Sequence, residues 1–184
     1  MAEDRSAAAL RAREACAAAA GRLRGAGIGT EALARYVAPR RVLLWTKPAT
    51  MEPLGEVWRV GTLLLGAEGE LYALGHATRA AERGRPGYQS LSREERREIA
   101  AAALRGGYPA GTPVNYDAVR IPLGEAGTAE DRGPDPAPEL PVGYAEGEFR
   151  VRWRRGAPLS GAPSLAAFLS ERVDLLIHPP FAAD

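Results

Sequence analysis

Two apolar, strand-like runs joined by a short glycine-bearing loop constrain the fold more than any other feature of this sequence. The runs are residues 57–65 and 71–78, and the loop between them is residues 66–70. A loop of this length typically joins antiparallel neighbours. The pattern therefore predicts a β-hairpin, and with it a sheet that is at least partly antiparallel.

Three further segments have the composition or spacing of strands. Residues 41–45 (RVLLW) are predicted to be a buried strand that closes before a proline, and residues 46–56 are predicted to be a loop. Residues 114–121 are predicted to be another strand. Residues 148–155 alternate strictly, which predicts a strand with one buried face. The residues predicted to lie on that buried face are Phe149, Val151 and Trp153.

Four segments are predicted to be helical. Residues 4–24 are rich in alanine, the best helix former, and residues 30–36 are predicted to be a short helix. A capping box precedes a helix at 93–105, and a further apolar stripe predicts a helix at 164–177. The first helix carries a narrow stripe of small residues at helical spacing: Ala9, Ala12, Cys16, Ala19 and Leu23.

These elements predict an α+β fold. Hairpins combined with segregated helices, without regular βα alternation, favour a mainly antiparallel sheet of about five strands backed by two or three helices. The 184 residues are expected to form a single domain, 1–184. Residues 123–141, rich in Gly, Pro, Asp and Glu, are predicted to be a flexible loop.

Few residues of this chain carry chemistry at neutral pH: Lys47, His76, His178 and Cys16. Metal sites usually need three or four His, Cys or carboxylate ligands, so no metal site is predicted. The sequence contains no dinucleotide-binding or phosphate-binding glycine motif, so no cofactor is predicted.

The charge balance and the apolar runs predict the class of partner. A net charge of +1 gives no overall attraction to nucleic acid or to an anionic membrane, so any charged partner must be recognised by a local patch. No apolar run approaches the ~20 residues that cross a bilayer, and no membrane partner is predicted. A single cysteine and the absence of a secretory pattern at the start predict a cytoplasmic protein.

His76 is the strongest candidate for a catalytic group. It lies on a predicted strand ahead of a basic loop, where nearby cations would favour a neutral imidazole that acts as a base. Glu52 and Glu56 bracket the start of the hairpin and are its candidate partners, with Thr50 or a water as nucleophile. The structural alternative for His76 is a half-buried histidine whose hydrogen bonds are satisfied by its neighbours.

A second set of polar residues is predicted to bind a ligand near one end of the sheet. Its members are Arg59, His76, Arg79, Tyr88 and Gln89. Guanidinium groups and hydroxyls suit phosphates and carboxylates. The leading hypothesis is therefore binding of a small polar or anionic ligand, and the residues leave open whether the protein is an enzyme.

An interaction module is the alternative from another class. The alternation at 148–155 predicts an outward row formed by Arg150, Arg152 and Arg154, which would meet an acidic partner or form a solvated face. In this hypothesis the alanine stripe of the first helix forms a homodimer. Lys47 is predicted to be exposed and His178 to follow the end of the last helix.

Three runs carry a family resemblance: MEPLGEVWRVGTLLL (51–65), GHATRA (75–80) and ERVDLLIHPP (171–180). They resemble a family of small uncharacterised actinobacterial proteins, some of which bear the name glutaminase. The resemblance implies a cytosolic, single-domain protein and amide hydrolysis of glutamine as an alternative function. Serine-dependent glutaminases use a serine followed three residues later by a lysine, and no serine here is followed in this way.

Overall fold

The computed structural model describes residues 2–84, 91–124 and 139–180, with side chains from Asp4 onward. The chain divides into two compact units. We call them the terminal unit (Met1–Gly29, Trp58–Ala73, Arg120–Asp184) and the central unit (Thr30–Val57, Leu74–Val119). The organisation of the chain as one domain stays a prediction.

The described residues contain three helices and eleven strands. The helices are α1 (Ala2–Gly25), α2 (Leu91–Arg105) and α3 (Leu165–Ile177). The strands are β1 (Glu31–Val37), β2 (Arg40–Val42), β3 (Trp45–Lys47), β4 (Thr50–Val60), β5 (Leu63–Gly66), β6 (Leu71–Ala73), β7 (His76–Arg79), β8 (Pro113–Tyr116), β9 (Val119–Arg120), β10 (Val142–Ala145) and β11 (Glu148–Val151). None of these helices is long and apolar enough to cross a membrane.

The main sheet has seven strands in the order β7-β8-β1-β4-β5-β6-β9. Strand β1 pairs in parallel with β8, whereas β1–β4, β5–β6 and β7–β8 are antiparallel. The α+β class is confirmed, but the sheet is mixed and larger than the five strands predicted. Two separate two-stranded sheets, β2–β3 and β10–β11, account for the remaining strands.

The predicted helices at 4–24, 93–105 and 164–177 are confirmed, as is the β5–β6 hairpin. The predicted short helix at 30–36 is wrong, because this segment is β1 and pairs on both sides. The predicted loop at 46–56 is also wrong, since β4 begins at Thr50. Both segments favour other conformations locally, and hydrogen bonding to neighbouring strands outweighs that preference.

Several predicted strands are interrupted by turns. Gly61 has φ 60°, which only glycine adopts readily, and it divides the run 57–65 into β4 and β5. The run 71–78 breaks after Ala73, and the run 114–121 breaks at Asp117, which has φ 52°. The predicted strand at 41–45 is a solvent-exposed hairpin, β2–β3, with a two-residue loop.

The core of the terminal unit is built on the alanine stripe of α1. All five stripe residues are buried together with Leu165, Leu169 and Val173 of α3. Ser164 caps the start of α3, and its side chain accepts a hydrogen bond from the Ala167 N–H (3.2 Å). Because the stripe is covered within the chain, it offers no free face for a second copy.

The core of the central unit lies between α2 and its strands. Ala102 and Ala103 of α2 are buried with Met51 and Val114. Gly106 follows the helix at a point where a Cβ atom would overlap the Met51 carbonyl oxygen. Glycine therefore allows the end of α2 to approach β4 closely.

Candidate functional site

His76 is exposed and belongs to a row of aromatic rings. On β7 it is the cross-strand partner of Tyr116 on β8, and the two ring centroids are 5.4 Å apart. The Tyr116 ring is in turn 6.2 Å from that of Tyr36 on β1. Burial raises the pKa of Tyr116, and nearby Asp117, Tyr36 and Glu95 raise it further. The Tyr116 hydroxyl therefore stays neutral at physiological pH.

The structure does not bring the predicted acids to His76. The pairings His76–Tyr116, Tyr116–Ala34 and Ala34–Pro53 show that β7 and β4 are three strand spacings apart. At about 4.8 Å per spacing, Glu52 and Glu56 on β4 start about 14 Å from His76. Both acids have other partners. Glu52 forms an ion pair with Arg35, and Glu56 accepts a hydrogen bond from Thr30 Oγ1 (3.0 Å).

The predicted ligand-binding residues are likewise distributed over the fold. Arg79 is three residues from His76 on the same strand, which places it on the opposite face, and its Nη1 donates to the Gly111 carbonyl (2.9 Å). Arg59 belongs to the terminal unit, unlike His76. Tyr88 and Gln89 lie outside the described residues.

Cationic side chains converge instead on an open groove in the central unit, with a volume of about 760 Å³. We call it the basic groove. Four cations line it against one carboxylate, and Tyr36 and Thr50 add hydroxyls. The charged residues of the groove are Arg35, Arg40, Lys47, Arg105 and Glu52.

Two of the four cations are held by partners. Arg35 is paired with Glu52, its direct neighbour across β1 and β4. Arg105 donates from Nε to the Ala49 carbonyl (2.6 Å) and also pairs with Glu98. In the last turn of α2, the Arg105 guanidinium also offsets the partial negative charge of that helix end.

Arg40 and Lys47 form the unusual pair of the groove. They are direct cross-strand partners in the β2–β3 hairpin, and both are exposed. Within the described part of the chain, neither is paired with a carboxylate. Like charges directly opposite each other destabilise a strand pair. An anion between them would remove that repulsion.

Sequence reasoning singled out Lys47 and Thr50 but missed Arg35, Arg40 and Arg105. Arg35 lies in a segment predicted to be a short helix, and Arg40 precedes a segment predicted to be a single strand. The available signal was the basic run at 35–41, RYVAPRR, which contains Pro39 and is followed by Pro48 farther along the chain. Only the fold of the segment into a hairpin places Arg40 opposite Lys47.

The predicted outward arginine row is wrong. Strand β11 ends at Val151, so the alternation stops there. Arg152 is buried and donates to the carbonyls of Leu140 (3.0 Å) and Ala157, while Arg150 donates to the Ala162 carbonyl (2.6 Å). Trp153, predicted to be buried, is exposed. These arginines hold loops of the terminal unit together and do not form a charged ladder.

Cys16 is buried in the core of the terminal unit, and its reactivity can be predicted from this burial. Burial raises the pKa of the thiol to about 12. Because the thiolate is the reactive form, we expect Cys16 in the folded protein to be inert to Ellman's reagent at pH 8 and to react fully in urea. Rapid reaction without denaturant would contradict this burial.

Among residues 2–84, 91–124 and 139–180, no three His, Cys, Asp or Glu side chains are grouped closely enough to hold a metal ion. Comparison of the chain with models of protein families, with curated proteins and with solved structures finds no match. The resemblance to small actinobacterial proteins therefore stays a prediction, and the basic groove is the candidate site.

Proposed function

We propose that the protein binds a small molecule with phosphate or carboxylate groups in the basic groove. The facing pair Arg40 and Lys47 is the observation that carries this proposal. Repulsion between two facing cations that have no carboxylate partner lowers the stability of the folded protein. A bound anion would remove that repulsion and stabilise the fold. The excess of cations around them favours an anion over a neutral or basic ligand.

The dimensions of the groove suit a small ligand. Its volume of about 760 Å³ falls within the range of small-molecule sites, about 300–1,000 Å³. Tyr36 supplies an aromatic wall at the end of the row that includes Tyr116. Arg40, Lys47 and Arg105 line the same groove, so the proposed ligand carries two anionic groups, one for the facing pair and one for Arg105. Inorganic pyrophosphate and citrate are suitable probes of this chemistry.

The proposal predicts opposite effects of one double variant on binding and on stability. The double variant Arg40→Ser/Lys47→Ser is expected to bind pyrophosphate or citrate about 30-fold more weakly, because about 2 kcal/mol of charge-assisted hydrogen bonding is lost. At low salt and without ligand, the same variant is expected to gain about 0.5 kcal/mol, because the facing charges are gone. Isothermal titration calorimetry and urea unfolding measure the two effects.

The matched control removes two exposed arginines outside the groove, Arg93→Ser and Arg155→Ser. It changes the net charge equally, so it separates a local site from general attraction. We expect its affinity for both probes to stay within about twofold of the wild type. Equal loss in both double variants, or no binding of either anion to the wild type, would refute the proposal.

Amide hydrolysis stays a prediction of the family resemblance. Its candidate groups His76, Glu52 and Glu56 do not meet, and Thr50 belongs to the groove. A release assay for ammonia from glutamine, run on the wild type and on His76→Ala, tests that alternative directly.

A further inference from the structure

The β2–β3 hairpin of the central unit carries a large apolar tip in solvent. The tip is Val42–Trp45, and Leu43, Leu44 and Trp45 are 92%, 94% and 80% exposed. All residues from 38 to 48 are exposed, so no described part of the chain buries the hairpin. A contiguous exposed apolar patch marks a binding surface, and a lone two-stranded hairpin is only marginally stable in water.

The loop at the tip is unfavourable for folding alone. Leu43 has φ 55° while Leu44 does not have positive φ, which is the pattern of a type II′ turn with glycine preferred at the first position. A leucine at that position has a steric cost that glycine avoids. Turn geometry opposes a leucine at position 43, and solvent exposure opposes both leucines. Binding is the remaining physical reason to place apolar side chains there.

Three cations lie on the two strands behind the apolar tip, at similar distances from it. Arg41 is two residues behind Leu43, and Arg40 and Lys47 are three residues behind the loop. At about 3.3 Å per residue, these charges lie roughly 7–10 Å from the tip. Apolar segments that bind at bilayer interfaces penetrate about 5–10 Å, which would bring the cations to the lipid phosphates. Trp45 lies between the leucines and the cations, at the depth that tryptophan prefers.

We infer that the hairpin tip docks on an anionic lipid surface, inserting Leu43, Leu44 and Trp45 and placing Arg40, Arg41 and Lys47 against the headgroups. This inference concerns the tip and goes beyond ligand binding in the groove. The prediction of no membrane partner depends on the net charge and on the absence of an apolar run long enough to cross a bilayer. Both are properties of the whole chain, whereas the hairpin is a local patch.

Charge and shape favour lipid over other occupants. Residues 37–51 contain no acidic residue, so a second copy docking through the same hairpin would bring cation against cation. A protein partner would need a pocket complementary to a convex tip. A fluid bilayer accepts such a tip without a preformed pocket, and anionic lipid supplies the complementary charge.

The test is co-sedimentation with vesicles of phosphatidylcholine alone and of phosphatidylcholine mixed with phosphatidylglycerol. We expect binding to the mixed vesicles only, weakened by added salt. Brominated phosphatidylcholine in the mixed vesicles should quench tryptophan emission of the wild type, and this quenching should be lost in Trp45→Phe. Equal binding to both vesicle types, or binding to neither, would overturn the inference.

The decisive variant replaces Leu43→Gly and Leu44→Asn, a pair suited to this turn. It removes the apolar tip, keeps all three cations and is expected to fold at least as stably as the wild type. Loss of two inserted leucines should weaken partitioning about a hundredfold. Arg41→Ser, outside the basic groove, should weaken it about fivefold.

The matched control removes two exposed leucines elsewhere, Leu10→Asn and Leu54→Asn, and should leave partitioning unchanged. Light scattering on the wild type and on Leu43→Gly/Leu44→Asn measures self-association. A wild-type dimer that this variant converts to a monomer would overturn the inference in favour of a second copy. Pyrophosphate titration of the same variant tests the groove separately, so the two proposals fail independently.

Discussion

Replacing Arg152 with methionine is expected to lower the free energy of unfolding by about 4 kcal/mol. Arg152 is only 3% exposed, and its guanidinium donates to the Leu140 and Ala157 carbonyls. Hydrogen bonds from a charged donor contribute about 1.5–3 kcal/mol each, and methionine leaves both carbonyls without this partner. Urea unfolding monitored by circular dichroism measures the loss as a lower transition midpoint.

Arg154→Met is the matched control for this prediction. Arg154 is two residues along the same basic segment, but it is exposed and its guanidinium lies 4.6 Å from the centre of the Trp153 ring. An exposed cation–π contact contributes less than about 1 kcal/mol. Similar losses in the two variants would mean that Arg152 does not hold the loops together.

Gly75→Ala is expected to destabilise the protein by about 3 kcal/mol. Gly75 directly precedes His76, and a Cβ atom there would overlap the carbonyl oxygens of Tyr116 and Asp117. These are backbone atoms of the chain that leaves β8, and Asp117 already has φ 52°. Relief of the overlap requires the backbone to shift, and such overpacking typically costs 1–3 kcal/mol. Thermal unfolding detects a loss of this size.

Gly21→Ala tests the opposite case. Gly21 lies inside α1, and a Cβ atom there would meet nothing within 4 Å. We expect a gain of about 0.5–1 kcal/mol, because alanine favours the helix over glycine. If Gly75→Ala leaves the stability unchanged while Gly21→Ala raises it, then Gly75 is not in close contact with the chain after β8.

The helices were predictable because their signals are local. The alanine-rich composition of residues 4–24 and the apolar stripe of 164–177 each define a helix without reference to the rest of the chain. Strand β1 shows where this reasoning fails. Its sequence, EALARYV, favours a helix locally, yet it pairs with β4 and with β8, which is more than 80 residues away along the chain.

The candidate site was predictable only in part. Lys47, as the single lysine, was singled out from sequence, and the basic run at 35–41 was visible. Nothing in Leu43-Leu44 signals a two-residue turn, for which Asn-Gly or a leading glycine would be typical. The strand register that places Arg40 opposite Lys47 therefore could not be predicted from the sequence, and neither could the exposure of the tip.

The sequence by itself determined the three helices, the β5–β6 hairpin and the α+β class, because periodicity and turn length act between near neighbours. It also determined the scarcity of groups that carry out chemistry. The tertiary structure alone decided the parallel pairing of β1 with β8, the burial of Arg152 and the convergence of cations on the groove. Those features depend on which distant backbone groups satisfy one another's hydrogen bonds, and local patterns do not encode that choice.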